Sequence, residues 1–413
     1  MDVRKLLGLV FVLIITANCQ GNKRVGSDQF KRSSQPQCDD QARPGEYLVQ
    51  WKNGDVTIEN FSDDESFIEE FLEQNKEAIE FAEPHYKILV SHGVEVAPLG
   101  YGGQINWGVD AIQAASGWGK TSDDEAIIVA VVDSGLDITH PQFQGAIAVN
   151  ENEIANGIDD DNNGLIDDIN GYNFADDSGE MYDNSGHGTH VAGIIAARHE
   201  LGVVKGVAPK AKILPLNFIT ASGAGSVDSA IRALRYAGQR GAKVINASWG
   251  GSSCSSALKN EIEALAQKNI LFVAAAGNEG NDLSVYPEYP AGFVISNMVS
   301  VGAATYDFKT ADFSNYGSLV DLVAPGANII STFPPDYDVK DGSRDGFQSL
   351  DGTSMAAPFV TAAAALLWAH KPGASFVEIK QALLQGIQAG PYPVKTRGML
   401  NVEGALSQLS STP

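Results

Sequence analysis

A serine at position 354 is placed where nucleophilic chemistry could be done. It follows a Gly-Thr turn in the run Asp351-Gly352-Thr353-Ser354-Met355-Ala356-Ala357-Pro358, and a long apolar helical stretch comes next. Such an arrangement fixes a side chain at a helix N-terminus. There the macrodipole and unpaired N–H groups favour negative charge developing on a substrate oxygen. Most serines are surface or cap residues, so this reading requires a base, an orienting acid and an oxyanion donor elsewhere. Polar residues do stand at the ends of apolar runs: Asp133 after Ile127–Val132, Ser248 after Val244–Ala247, and Asn278 just beyond Ile270–Ala276. His187 lies between Gly186 and Gly188, and His190 follows three residues later. A zinc pair is a poor reading of these histidines, because the spacing is short and the intervening Glu of a metalloprotease helix is missing.

A second chemistry is written at Asp159, Asp161, Asn163, Gly164, Leu165, Ile166 and Asp167. Oxygen ligands alternate, glycine permits a sharp turn and Ile166 would be the buried anchor, as in an EF-hand calcium loop. The twelfth position is Asn170 rather than Glu, so Asp168, Asp176 or Asp177 would have to supply the missing carboxylate. Structural Ca²⁺ is expected here, with a merely acidic loop as the alternative.

Two kinds of element pattern must position these residues. Glu46–Trp51 alternates like a strand. Ser62-Asp63-Asp64-Glu65 resembles a helix cap before Phe67, Ile68, Phe71 and Leu72 at helical spacing. Ile79–Pro84 and Tyr86–Val90 read as one further strand broken by proline. From about Ile105 the pattern becomes strand–turn–helix: Ile127–Val132, Ile213–Leu216, Val244–Ala247 and Ile270–Ala276 are apolar runs, with helices predicted over Ser226–Gln239 and Ala257–Gln267. Continuous apolar strands alternating with helices predict an α/β fold, a mostly parallel sheet with helices on both faces. Ligands then bind beyond the carboxyl ends of the strands, where Asp133, Ser248 and Asn278 fall.

Four motifs in order make the chain resemble the subtilisin-like serine proteases over most of its length: Val132-Asp133-Ser134-Gly135, His187-Gly188-Thr189-His190-Val191-Ala192-Gly193, Ala275-Ala276-Gly277-Asn278 and Gly352-Thr353-Ser354-Met355-Ala356-Ala357-Pro358. The resemblance implies that Ser354 is the nucleophile, His187 the base, Asp133 its orienting acid and Asn278 an oxyanion donor. It implies backbone edges for an extended substrate at Gly223-Ala224-Gly225 and Ser248-Trp249-Gly250, and a pocket wall at Ala275-Ala276-Gly277. Small residues there imply preference for large apolar side chains. If Glu288, in Tyr286-Pro287-Glu288-Tyr289-Pro290, points inward, a basic side chain is preferred instead. The family's best-known calcium site has an Asp after His-Pro; here Gln142 follows His140-Pro141, and Arg198-His199-Glu200-Leu201 occupies the partner loop, which speaks against a metal there.

By the same resemblance, residues 41–100 form a small α+β inhibitory propeptide and 104–413 the catalytic domain, with self-cleavage between about Leu89 and Gln104. Residues 1–18 read as an export signal, since Arg4 and Lys5 precede the apolar Leu6–Ile15, too short for an ordinary span. Thr16-Ala17-Asn18-Cys19 resembles a bacterial lipoprotein signal with Cys19 lipidated, ordinary cleavage near Ala17 being the alternative. Residues 19–40 are a polar tether. The protein is thus expected outside the cytoplasm, extracellular or in the cell envelope, touching a membrane only through a lipid anchor.

Composition agrees with a packed globular protein suited to secretion. Hydrophobic residues make up 44% of 413 and charged residues 19%. A formal charge of −23 repels phosphate backbones, so nucleic acid is not an expected partner. Three cysteines, Cys19, Cys38 and Cys254, exclude a disulfide scaffold; Cys38 and Cys254 could pair, though a small thiol at Cys254 is the simpler reading. The expected function is a monomeric serine endopeptidase acting on proteins or peptides, its own propeptide included. Alternatives are an inactive surface-binding homologue and a protease limited to its own maturation.

Overall fold

The computed structural model describes residues 42–89, 105–119, 126–220, 222–252, 254–338 and 343–411. The signal, Cys19, the tether, Cys38 and most of the expected cleavage segment lie outside them. Contacts divide the chain into two units, Met1–Lys87 with Ser252–Ser256, and Ile88–Gly251 with Ala257–Pro413.

In the first unit, strand β1 (Ala42–Trp51) pairs antiparallel with β2 (Val56–Asn60) and β3 (Ile79–Leu89). The short β2 was not anticipated: five residues leave little periodicity to read. Nor does proline break β3. Pro84 sits opposite Tyr47, next to a shift in register between Ala42 and Tyr47, and such irregularities tolerate a residue that cannot donate. Asp63 caps the helical stretch, accepting from Ser66 N at 2.8 Å, and the turns over Phe67–Leu72 are π-helical. Tyr47, Val49, Phe67, Leu72, Ile79 and Ala82 form the core, with the Tyr47 and Phe67 rings stacked at 4.1 Å.

In the second unit the strands are β4 (Ile128–Asp133), β5 (Tyr172–Asn173), β6 (Lys212–Asn217), β7 (Ala224–Ser226), β8 (Val244–Ala247), β9 (Leu271–Ala275), β10 (Met298–Ala304), β11 (Leu322–Pro325), β12 (Ile329–Thr332), β13 (Phe347–Leu350), β14 (Gln388–Ala389) and β15 (Gly398–Met399). A nine-stranded sheet runs in the order β14-β15-β11-β10-β9-β8-β4-β6-β5. It is parallel except for the pairing of β14 with β15. β12 and β13 form a separate hairpin.

Helices α1 (His187–Ala196) and α4 (Thr353–His370) share one core with Val129 and Val131 of β4. The pleat turns Ala130 and Val132 to the other face, where α2 (Val227–Gln239) packs on β4 and β6. Ser226 caps α2 as its Oγ accepts from Ser229 N. Helix α3 (Ser256–Ala264) ends in a 3-10 turn over Leu265–Lys268, and α5 (Phe376–Gln385) opens on a capping box between Ser375 and Glu378. Helix α6 (Val402–Ser411) packs on α5. α4 is buried on all sides from Thr353 to Trp368, as an alanine-rich helix without a polar stripe must be. Among the described residues no helix is long and apolar enough to cross a membrane.

Candidate active site

Asp133 ends β4 and is fully buried. Its Oδ1 accepts from Ser134 N at 2.8 Å and faces His187 Nδ1 at 2.7 Å. A carboxylate there places the imidazole proton on Nδ1 and leaves Nε2 as an acceptor. That Nε2 is buried and has no hydrogen-bond partner. Burial works against a charged His187, yet the charge and hydrogen bond of Asp133, with help from Asp183, raise its pKa above the ordinary value.

His187 is the first residue of α1, and Asp183 holds that helix end. Its Oδ1 accepts from Ser134 Oγ at 2.9 Å and Gly186 N at 2.9 Å, and its Oδ2 from Thr189 N at 2.8 Å and Thr189 Oγ1 at 2.7 Å. Asp183 was missed in the sequence. An acid just ahead of Gly186-His187 at a helix start is the signal that could have found it. Gly188 is required by close approach, since a Cβ there would stand 2.2 Å from Gly135 O. His190 does different work. Its Nε2 lies 3.0 Å from both Ile329 O and Gln348 O, tying β12 to β13, and burial pushes its pKa down to about 3.

Ser354 is the second residue of α4. Pro358 lies four residues on and has no N–H, so the helix cannot satisfy Ser354 O. Ser248 Oγ does so at 2.8 Å, and Ser354 Oγ donates back to Ser248 O at 3.1 Å. Asn246 Nδ2 donates to Ser248 Oγ at 2.8 Å, extending the clasp into β8. Ser354 Oγ therefore makes no hydrogen bond to His187 Nε2 in this conformation. Asn278 joins Ser354 through the residue between them, because its Oδ1 accepts from Thr353 N at 2.8 Å and Thr353 Oγ1 at 3.0 Å. Held by its oxygen, the amide must aim Nδ2 away from Thr353. Gly277 N donates to Thr353 Oγ1 at 3.1 Å.

Ser248 and Trp249 have buried side chains, Trp249 Nε1 donating to Val132 O at 2.7 Å. Ala224 belongs to β7; Gly223 precedes it, and Phe218 packs where a Cβ on Gly225 would be. Ala275, Ala276 and Gly277 are buried, while Glu288 is half-buried against Gly277.

In the acidic loop, Glu153, Asp159 and Asp161 each bring a carboxylate oxygen within 4.8 Å of the others. Glu153, six residues before the motif, was not anticipated. Asp167 instead accepts from Asn156 N and Gly157 N, and Asn163 Nδ2 donates to Asp168 at 3.0 Å. Leu165 is half-buried, and Ile166, expected as the buried anchor, is 50% exposed. Asp168 anchors the loop in its place, fully buried between Asn150 Nδ2 and the Tyr236 hydroxyl. Elsewhere, Gln142 Nε2 donates to Arg198 O at 2.9 Å and Val204 O at 2.7 Å, so an amide links the carbonyls of that loop.

The chain is similar in sequence and in fold to known proteins of one family. Residues 124–404 match the family model described as the subtilase family. Subtilisin Savinase of Lederbergia lenta is 34% identical over 302 residues, 73% of this chain and 98% of its own length. Thermitase of Thermoactinomyces vulgaris is 34% identical over 271 residues, 65% of this chain and 84% of its own. Among solved structures, fervidolysin from Fervidobacterium pennivorans, a keratinolytic enzyme related to subtilisin, aligns with a TM-score of 0.67 at 25% identity. That alignment covers 89% of this chain and 62% of fervidolysin, so the chain spans less than two thirds of that protein. A cold-adapted subtilisin-like serine proteinase aligns with a TM-score of 0.55 at 28% identity, covering 73% of this chain and 99% of that one.

Proposed function

The chain belongs to the subtilase family and is a serine endopeptidase, and from that premise we propose that Ser354, His187 and Asp133 are its catalytic triad and Asn278 its oxyanion donor. The observation that carries this is the buried Asp133–His187 pair at 2.7 Å with Nε2 unpartnered. Ser354 Oγ leaves Ser248 O on substrate binding and passes its proton to Nε2 while attacking the scissile carbonyl. Catalytic hydrogen bonds commonly tighten only at this stage. Asp133 holds the imidazole and stabilises its cation, which returns the proton to the leaving amine. The oxyanion is bound by Asn278 Nδ2 and the Ser354 N–H, one of the helix N–H groups without an intrahelical acceptor. Water then releases the acyl group by the reverse sequence. A fluorophosphonate label on Ser354, lost in Ser354→Ala, tests the assignment; an unlabelled wild-type enzyme would show it to be an inactive homologue.

Extended substrate pairs with the backbone at Gly223–Gly225 and Ser248–Gly250, with Ala275–Gly277 as the wall for the side chain before the scissile bond. Structural calcium binds Glu153, Asp159 and Asp161, a set of hard oxygen donors that suits it. The first unit serves as folding template and temporary inhibitor, cut away between about Leu89 and Gln104. The likeness to fervidolysin covers more of the chain than the second unit comprises, so it extends into the first. The enzyme is exported through residues 1–18. N-terminal sequencing of the active form tests the propeptide cut, and a start near residue 40 would contradict maturation at 89–104.

A further inference from the structure

The two segments assigned above as substrate edge and pocket wall, Ser248–Gly250 and Ala275–Gly277, are joined by the residues around Glu288. Tyr289 exchanges both backbone hydrogen bonds with Gly251, at 3.0 and 2.7 Å, and so closes the first segment at its end. Glu288 reaches the second. A Cβ built on Gly277 would stand 2.8 Å from its Oε2, and equally 2.8 Å from Oε2 of Glu279. Glu279 is exposed, one residue past Asn278, and is steadied by Asn315 Nδ2 at 2.8 Å. Only glycine leaves room for this convergence, and Gly277 has φ +101°.

Two carboxylates therefore meet beside the residue that precedes the oxyanion donor. Burial, followed by the charge and hydrogen bond of Glu279, pushes the Glu288 carboxyl up to about 8. No basic side chain among the described residues enters that balance. Facing carboxylates are stabilised by a shared proton or by a cation between them. In a peptide cleft, the cation that can arrive is carried by the substrate.

We propose that Glu288, assisted by Glu279, makes this endopeptidase select an arginine or lysine side chain immediately before the scissile bond. This rests on the Ser354 site proposed above. Arginine is favoured over lysine, because its fork of N–H donors can engage both carboxylates at once. The small wall residues still accept the aliphatic stem, and the acidic end decides which head group follows it.

Matched peptides with Arg, Lys or Phe before a chromogenic leaving group test the proposal on the purified active form. Arg is expected to exceed Phe in kcat/KM by at least about tenfold. Glu288→Gln should cut the Arg-to-Phe ratio roughly 10- to 100-fold, the range for loss of one hydrogen bond to a charged group. Glu279→Gln, at the exposed position, should cut it less, and it serves if Glu288→Gln fails to fold. A Phe preference in wild type, or a ratio unchanged in the folded variants, overturns the proposal. Labelling of Ser354 by a fluorophosphonate separates the two readings. An enzyme that labels yet prefers Phe refutes the specificity alone, and one that does not label refutes the site beneath it.

Discussion

Asp133 and Glu288 are both carboxylates withdrawn from water near the reacting centre, and they are compensated in opposite ways. Asp133 has its partners within the fold, His187 Nδ1 and Ser134 N. Glu288 faces another acid, and its carboxyl is held above the usual range. Burying a carboxylate is costly unless it is paired. The first pairing, made through Oδ1 while Oδ2 is buried without a hydrogen-bond partner, is therefore in place before substrate arrives, and the second is completed by a ligand. The acidic loop gathers Glu153, Asp159 and Asp161, which accept hydrogen bonds from the loop itself and form the proposed calcium site, whereas the Arg198–Val204 loop is closed by the Gln142 amide.

Breaking the internally compensated pair should have the largest effect. Asp133→Asn preserves shape but presents a donor to Nδ1, and kcat should fall by about 10⁴, as it does for this change in a serine-protease triad. It also removes the charge that raises His187. Because the base must be neutral, wild-type activity is lost as pH falls through the raised pKa, and in the variant that acid limb moves to lower pH. Asn278→Ala should follow, with a loss of about 10²–10³ in kcat, the magnitude known for subtilisin. The check is kcat measured with KM little changed.

Changes at the ligand-compensated acids should be smaller and of a different kind. Glu288 binds its proton more tightly folded than unfolded, so between its ordinary value and about 8 the folded state carries more protons. Stability therefore declines as pH rises through that window. Glu288→Gln should abolish this decline, raising Tm above wild type at pH 9 and leaving it equal near pH 4. Calcium removal is expected to have the mildest effect. At 100-fold saturation a bound ion contributes about 2.7 kcal/mol, and chelation should lower Tm by a few degrees. Hydrogen exchange should speed up in residues 150–168 and stay constant across 198–206, because the Gln142 amide needs no metal. Equal responses in the two loops would erase the distinction between them.

Much of this was legible because buried parallel strands are written as continuous apolar runs. β4, β6, β8 and β9 were each visible, and with them the positions of Asp133, Ser248 and Asn278 at or just past strand ends. What escaped depended on partners distant in sequence. Glu153 joins the acidic group only once the loop folds back, and Asp183 matters only because α1 begins beside it. Gln142 looks like a lost ligand until Arg198 O and Val204 O are seen on either side of its amide. Ile166 misled in the other direction: the EF-hand pattern assigns an anchor that this loop takes from Asp168 and Tyr236. Pro84 misled because a strand irregularity, invisible in a single sequence, accommodates it.

The most direct test is to trap the acyl-enzyme. Rapid acid quench of the active form with a slowly deacylating peptide ester, followed by mass spectrometry of the digest, should place one acyl group on Ser354. The adduct should be absent in Ser354→Ala and formed far more slowly in His187→Ala. An acyl group on any other residue, or turnover without an adduct under conditions that trap subtilisin, would contradict the assignment.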